Sequence, residues 1–332
     1  MSFFCFYDIL DIVSELGESM ELIIITLGII GIFFVLFSIS FYPFVKGFRF
    51  LNKRVSVDLG GLDDKLNLVK EKKCKVKGKN CPDFEILFSY PKNKGKEMPL
   101  FMFIHGGGWI GGSAKKVNSY AKLIASHGIV VANVEYSLAP EYQYPTSILQ
   151  LVEALNYIYK NRDLYGINKN KIFIGGTSAG AQLSSQLGCL STNKEYRELL
   201  NVKSVPDVYG LVLINGVYNF ETVNECHFPG MSSFIWSYVG DKDYLSYERI
   251  NELSTINYVN NNYPRVFITA GDKDPLRTQS YELVDVLKKN KISYVDRFFE
   301  DKNLNHDYVY LLNKDESKKT LEEIIKFIKE TE

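Results

Sequence analysis

Ser178 stands in Gly176-Thr177-Ser178-Ala179-Gly180, a G-x-S-x-G pentapeptide with the apolar run "KIFI" before it and the helix-like "AQLSSQLG" after it. A strand, a sharp turn and a helix are the context in which such a serine is lifted out of a sheet edge as a nucleophile. A hydroxyl is a poor nucleophile until a base takes its proton, so a histidine and an orienting carboxylate are required. The chain has four histidines, and His105 and His127 precede Ser178. For an elbow of this kind the expected order is Ser, then Asp or Glu, then His, which leaves His227 and His306. His306 is preferred, because it follows the strand-like "SYVDRFF" through a short loop, whereas His227 lies in the irregular "NECHFPG". For the carboxylate, "RVFITA" runs into "GDKDPLR", placing Asp272 and Asp274 at a strand's C-terminal edge. Asp274 precedes Pro275, which restricts its backbone to extended conformations, and it is preferred over Asp272.

The stretch "FMFIHGGGWIGG", Phe101 to Gly112, ends an apolar strand in bare backbone. Two chemistries use such a surface of peptide N–H groups. Gly106, Gly108 and Gly111 fit G-x-G-x-x-G, with Glu135 near the end of the next apolar run, as pyrophosphate binding would require. The alternative is an oxyanion hole, in which each donor contributes about 2.7–4 kcal/mol to the transition state. A dinucleotide site leaves the elbow, the late aspartate and the late histidine unexplained. The N–H groups of Gly107 and Gly108, joined by that of Ala179 after the nucleophile, are therefore read as oxyanion donors.

The elements that must position these groups alternate along the chain. Apolar runs at Leu100–Ile104, Ile129–Val134, Lys171–Ile174, Leu211–Ile214 and Arg265–Thr269 alternate with helical stretches at Ser119–Ser126, Ser147–Lys160 and Ser280–Lys289. Short, wholly apolar strands between helices mark a mostly parallel sheet covered on both faces, so the expected class is α/β. Before this comes a different region. Residues 1–21 place Asp8, Asp11, Glu15 and Glu18 on one face of an amphipathic helix, and Leu22 to Val45 contains no charged residue. As a helix, 22–45 would extend about 36 Å, enough to cross a bilayer. No basic residue precedes it, so it reads as an uncleaved anchor contacting membrane lipid rather than a signal peptide. Lys46, Arg49, Lys53 and Arg54 follow directly, which places the remainder on the cytoplasmic side. The absence of an N-x-[ST] sequon agrees with this. Residues 46–98, including the charge run "EKKCKVKGKN", are read as cap and lead-in strands, and 99–332 as the catalytic domain. Lys+Arg and Asp+Glu are equal at 39 each, so no global field favours nucleic acid. The five cysteines show no metal-ligand spacing and no disulfide framework.

Taken together, "HGGGW", "VEYSLAPEYQYP", "GTSAG", "GDKDPLR" and "NHDY" resemble, in order from about Pro99 to the C-terminus, the hormone-sensitive-lipase-like family of α/β-hydrolases, with an anchor like that of the arylacetamide deacetylase branch. The resemblance implies Ser178 as nucleophile, Asp274 as orienting acid, His306 as base, Gly107, Gly108 and Ala179 as oxyanion donors, and no metal or organic cofactor. It also implies a helical cap from Lys46 to about Asn80 and from Phe220 to about Arg249, with Phe228, Phe234, Trp236 and Tyr238 lining an acyl pocket. The expected activity is hydrolysis of small apolar carboxylic esters, short- to medium-chain or aryl. An amidase or deacetylase using the same groups, and a non-catalytic ligand receptor on the same scaffold, are the alternatives. Three departures stand out. Ser137 replaces the arginine of the family's Tyr-Arg-Leu-Ala-Pro-Glu, so an ion pair is missing or replaced; Thr177 replaces an aspartate; and Asp307-Tyr308 replaces the Gly-Phe that usually follows the histidine.

Overall fold

The computed structural model describes residues 23–28, 40–52, 56–93 and 95–330. Two compact units are present, Met1–Phe48 and Arg49–Glu332. The expected amphipathic segment 1–21 and half of the expected span 22–45, position 22 and positions 29–39, lie outside the described residues. Among those described, no helix is long and apolar enough to cross a membrane. Helix α1 covers Tyr42–Asn52, and its residues from Arg49 onward belong to the larger unit.

The larger unit is built on an eight-stranded sheet in the order β1-β2-β4-β3-β5-β6-β7-β8. Its strands are β1 Val69–Val76, β2 Phe84–Pro91, β3 Met98–Ile104, β4 Val130–Glu135, β5 Ile167–Thr177, β6 Gly210–Ile214, β7 Arg265–Ala270 and β8 Tyr294–Phe298. β1 and β2 pair antiparallel and β2 is antiparallel to β4; every pairing from β4 through β8 is parallel. The α/β expectation is met, and for the physical reason given: β6, "GLVLI", is buried at every position, as a strand covered on both faces must be.

Alternate residues of each strand point to opposite faces. Phe101, Phe103, Val131, Phe173, Val212 and Phe267 face one way, into a core shared with α2 (Asn118–Ala125) and the C-terminal helix Asp315–Lys329. The other face carries α3 (Thr146–Lys160), α4 (Ala179–Thr192) and, after β7, a helix at Arg277–Lys289.

The lead-in strands expected within 46–98 are β1 and β2, but β1 occupies residues 69–76, which the resemblance assigned to a cap reaching to about Asn80. The central β1 residues Lys70 to Lys73 are exposed, and a lysine-rich edge resists pairing with a further strand. The second expected cap segment is helical: between β6 and β7 the chain forms short turns, the helix Met231–Val239 and a turn at Ile250–Leu253.

Candidate active site

The elbow follows from two glycines and one carbonyl. β5 ends at Thr177, α4 begins at Ala179, and Ser178 between them has φ 54° and ψ −121°. Such a backbone costs a non-glycine residue about 1–3 kcal/mol and persists only where its surroundings enforce it. A Cβ on Gly176 or on Gly180 would lie 2.1 Å from the same oxygen, that of Ile104 on β3. Only glycine lets strand and helix close on β3 from both sides of the serine. Ser178 N–H then donates to Ile214 O at 2.8 Å, tying the turn to β6. Ser178 is 9% exposed.

The glycine loop leaves β3 and turns back on itself. Gly107 has φ 122°, with room for no Cβ because Gly111 O would lie 2.3 Å away, and Gly108 and Trp109 follow at φ 58° and 60°. Ile110 and Gly111 N–H both donate to Gly107 O, at 3.2 and 2.9 Å. The loop abuts the elbow: a Cβ on Gly106 would be 3.2 Å from Ser178 Cβ. Among the described residues, the N–H groups of Gly107, Gly108 and Ala179 donate to no backbone carbonyl outside regular elements. Trp109 anchors the loop from within, its Nε1–H donating to Gln182 Oε1 at 3.0 Å and its ring stacked 4.9 Å from Tyr238. His105 is a supporting residue, fully buried and stacked on Tyr136; burial pulls its imidazole down to about 4, so it is neutral at pH 7.

Two carboxylates organise the opposite side. His306 Nδ1 lies 2.9 Å from Asp274 Oδ2, and Asp274 is almost wholly buried, its Oδ1 accepting Leu276 N–H at 2.9 Å. Asp272, passed over in favour of Asp274 as the orienting acid, has a role of its own. It accepts the N–H groups of Lys302, Asn303 and Leu304 at 3.1, 3.0 and 2.7 Å. Desolvation works against its charge, but these three donors outweigh it and hold the carboxyl below its usual range. The clasp fixes the loop that delivers His306. His227, the alternative base, is exposed at φ 52° after the turn Val223–Cys226 and is not the histidine that meets Asp274.

Asp307 had no assigned role. Desolvation raises its carboxyl, while His306 and a hydrogen bond with Thr177 oppose this. For His306 desolvation is likewise the largest influence and lowers it, but the charge of Asp307 and the hydrogen bond with Asp274 prevail, raising the imidazole to about 9.

Of the four aromatics expected around an acyl pocket, the structure places two at these groups. Phe228 meets the His306 ring edge-on, centroids 5.0 Å apart, and Phe234 packs so closely on Gly108 that a Cβ there would be 2.3 Å from its ring. Tyr238 is fully buried under Trp109 and bonded to Ser147, as core packing. Trp236 lies beneath the Lys242 ammonium, 5.6 Å from its ring centroid. Sequence reading also missed Arg49, taken as a topology-setting charge, whose guanidinium reaches the carbonyl of Ile110 and the carboxylate of Glu141. The available signal was Ser137, which announced an ion pair lacking its cation. Glu135, weighed as part of a dinucleotide site, instead accepts Ala114 N–H at 2.8 Å.

The BD-FAE family model matches residues 87–287. An AB hydrolase superfamily protein of Schizosaccharomyces pombe is 46% identical over 90 residues, 27% of this chain and 26% of that protein. An acetyl esterase of Salmonella schwarzengrund is 27% identical over 201 residues, 58% of this chain and 60% of that protein. The chain thus matches less than two thirds of either relative's own length. Among solved structures, an esterase of Pyrobaculum calidifontis superposes with a TM-score of 0.68 at 20% identity, covering 87% of this chain and 92% of that one. At that identity the likeness establishes the α/β-hydrolase fold.

Proposed function

The chain belongs to the BD-FAE family, and from that premise we propose that it is a serine carboxylesterase acting through an acyl-enzyme. The observation that carries this reading is the serine held at φ 54° beneath a loop of unspent N–H groups, on the same sheet edge as a histidine bonded to a buried carboxylate. Ser178 Oγ attacks the ester carbonyl as His306 Nε2 takes its proton. The Nδ1–H bond to Asp274 holds the tautomer and stabilises the imidazolium. Negative charge developing on the carbonyl oxygen is received by the Gly107, Gly108 and Ala179 amides, aided by the N-terminal end of α4. The alkoxide or phenoxide leaves with the proton from His306. Water deprotonated by the same histidine then frees the acid and restores the serine.

Phe228 and Phe234, close to His306 and Gly108, favour small apolar acyl or aryl groups. The proposal extends to location: 22–45 anchors the chain in a bilayer, and the charges that follow it in the sequence, Lys46, Arg49, Lys53 and Arg54, put the hydrolase unit on the cytoplasmic side.

The test uses the full chain in detergent. A fluorophosphonate labels Ser178 in the wild type, and Ser178→Ala abolishes both the label and hydrolysis of p-nitrophenyl acetate, a loss of about 10⁶ in kcat. A wild type that neither reacts nor hydrolyses aryl esters of any chain length would leave the receptor reading in its place. Turnover of acetanilides faster than of the matching esters would favour the amidase.

A further inference from the structure

We propose that Arg49 is a positioning residue for the oxyanion loop, tying the end of the glycine turn to the loop that carries Ala139 and Glu141. The inference rests on the ester-hydrolase reading, since it concerns how that reading's oxyanion donors are held.

The geometry is specific to a planar, five-donor group. Arg49 Nε donates to Ile110 O at 2.7 Å and Nη2 to Ala139 O at 2.8 Å. Nη1 and Nη2 also take the two oxygens of Glu141 at 2.7 and 2.6 Å. One side chain therefore joins the end of the glycine turn to the loop carrying Ala139 and Glu141. A lysine, with one compact ammonium, cannot span these acceptors in the same way.

What it joins is a segment that needs holding. Gly107, Gly108 and Trp109 are successive residues at positive φ, and Trp109 gains nothing locally from that conformation. Its carbonyl accepts Ala139 N–H at 3.0 Å, and Ile110 N–H closes the turn on Gly107 O. Ile110 and Ala139 are buried, so without Arg49 their carbonyls would lose their donor where water has little access. The Arg49–Glu141 ion pair is itself half-exposed, with side chains 34% and 51% accessible, and contributes little alone. Its function is to fix the fork so that Nε and Nη2 aim at the two carbonyls. Glu141 is correspondingly held below the ordinary carboxylate range by the Arg49 hydrogen bonds.

A support acting on the oxyanion donors, rather than on substrate binding, shows itself in the transition state alone. In full-length protein with active sites counted by fluorophosphonate titration, Arg49→Gln should lower kcat for p-nitrophenyl acetate at least tenfold, with KM within twofold. The rate constant of fluorophosphonate labelling, which also places charge on the oxyanion donors, should fall in parallel. Glu141→Gln, which leaves both carbonyl bonds available, should lose less, and Arg49→Lys should recover only part. Counting per titrated site separates this from poor folding. An Arg49→Gln enzyme with unchanged kcat, a loss confined to KM, or equal losses for Arg49→Gln and Glu141→Gln would overturn the inference while leaving the esterase reading intact. A wild type inert to ester and probe would overturn both.

Discussion

The elbow at Ser178 and the loop bearing His306 lie on the same sheet edge and are held by opposite means. The elbow is fixed mainly by exclusion, Gly176 and Gly180 pressing on Ile104 O, with Ser178 N–H tied to Ile214 O. The histidine loop is fixed by attraction, with Asp272 gathering three backbone N–H groups, Asp274 on the imidazole and Asp307 beside it. Shape is indifferent to pH and salt, whereas charge is not. The nucleophile's position is therefore set at folding, and the base's competence is set by the solution.

The contrast can be broken at three points. The largest effect is expected at the attractive side: Asp274→Asn should keep the fold yet lower kcat by about 10⁴, because an amide facing Nδ1 favours the wrong tautomer. Retained activity would mean the imidazole is oriented by shape after all. Next, Gly180→Ala should reduce unfolding free energy by about 3 kcal/mol through overpacking against Ile104 O, measured by urea denaturation, with no change in the pH profile of the active fraction. The smallest effect is a shift. The imidazole must be neutral to accept the serine proton, so kcat/KM should fall as pH drops through about 9. Asp307→Asn removes the first of the influences that raise His306, so the acid limb should move to lower pH. A limb that stays put would show that Asp307 is already protonated in the free enzyme.

What could be read beforehand follows the same division. Shape is local in sequence: the glycines flanking Ser178, the run after Ile104 and the apolar strands announce themselves because each is dictated by residues next to one another. The clasp and clamp are not. Asp272 meets residues about 30 positions away, and Arg49 meets Ile110 and Glu141 at separations of 61 and 92. No periodicity marks such a contact, and its only trace was a missing cation at Ser137. β1 was legible only in outline, as a solvated face or hairpin among the lead-in strands: an edge strand is exposed on its outer side, so "VKEKKCKV" carries a solvated composition, and its pairing with β2 is what fixes its bounds.

One feature of the elbow reaches further. The oxygen on which Gly176 and Gly180 both rest belongs to Ile104, and β3 passes from Ile104 directly into His105 and the glycine loop. Nucleophile and cradle thus take their heights from a common datum, one peptide unit of a neighbouring strand. Thermal breathing of the sheet that raises or lowers this unit carries both together, and the gap between attacking oxygen and amide donors is conserved through motions that would misalign two independently mounted parts.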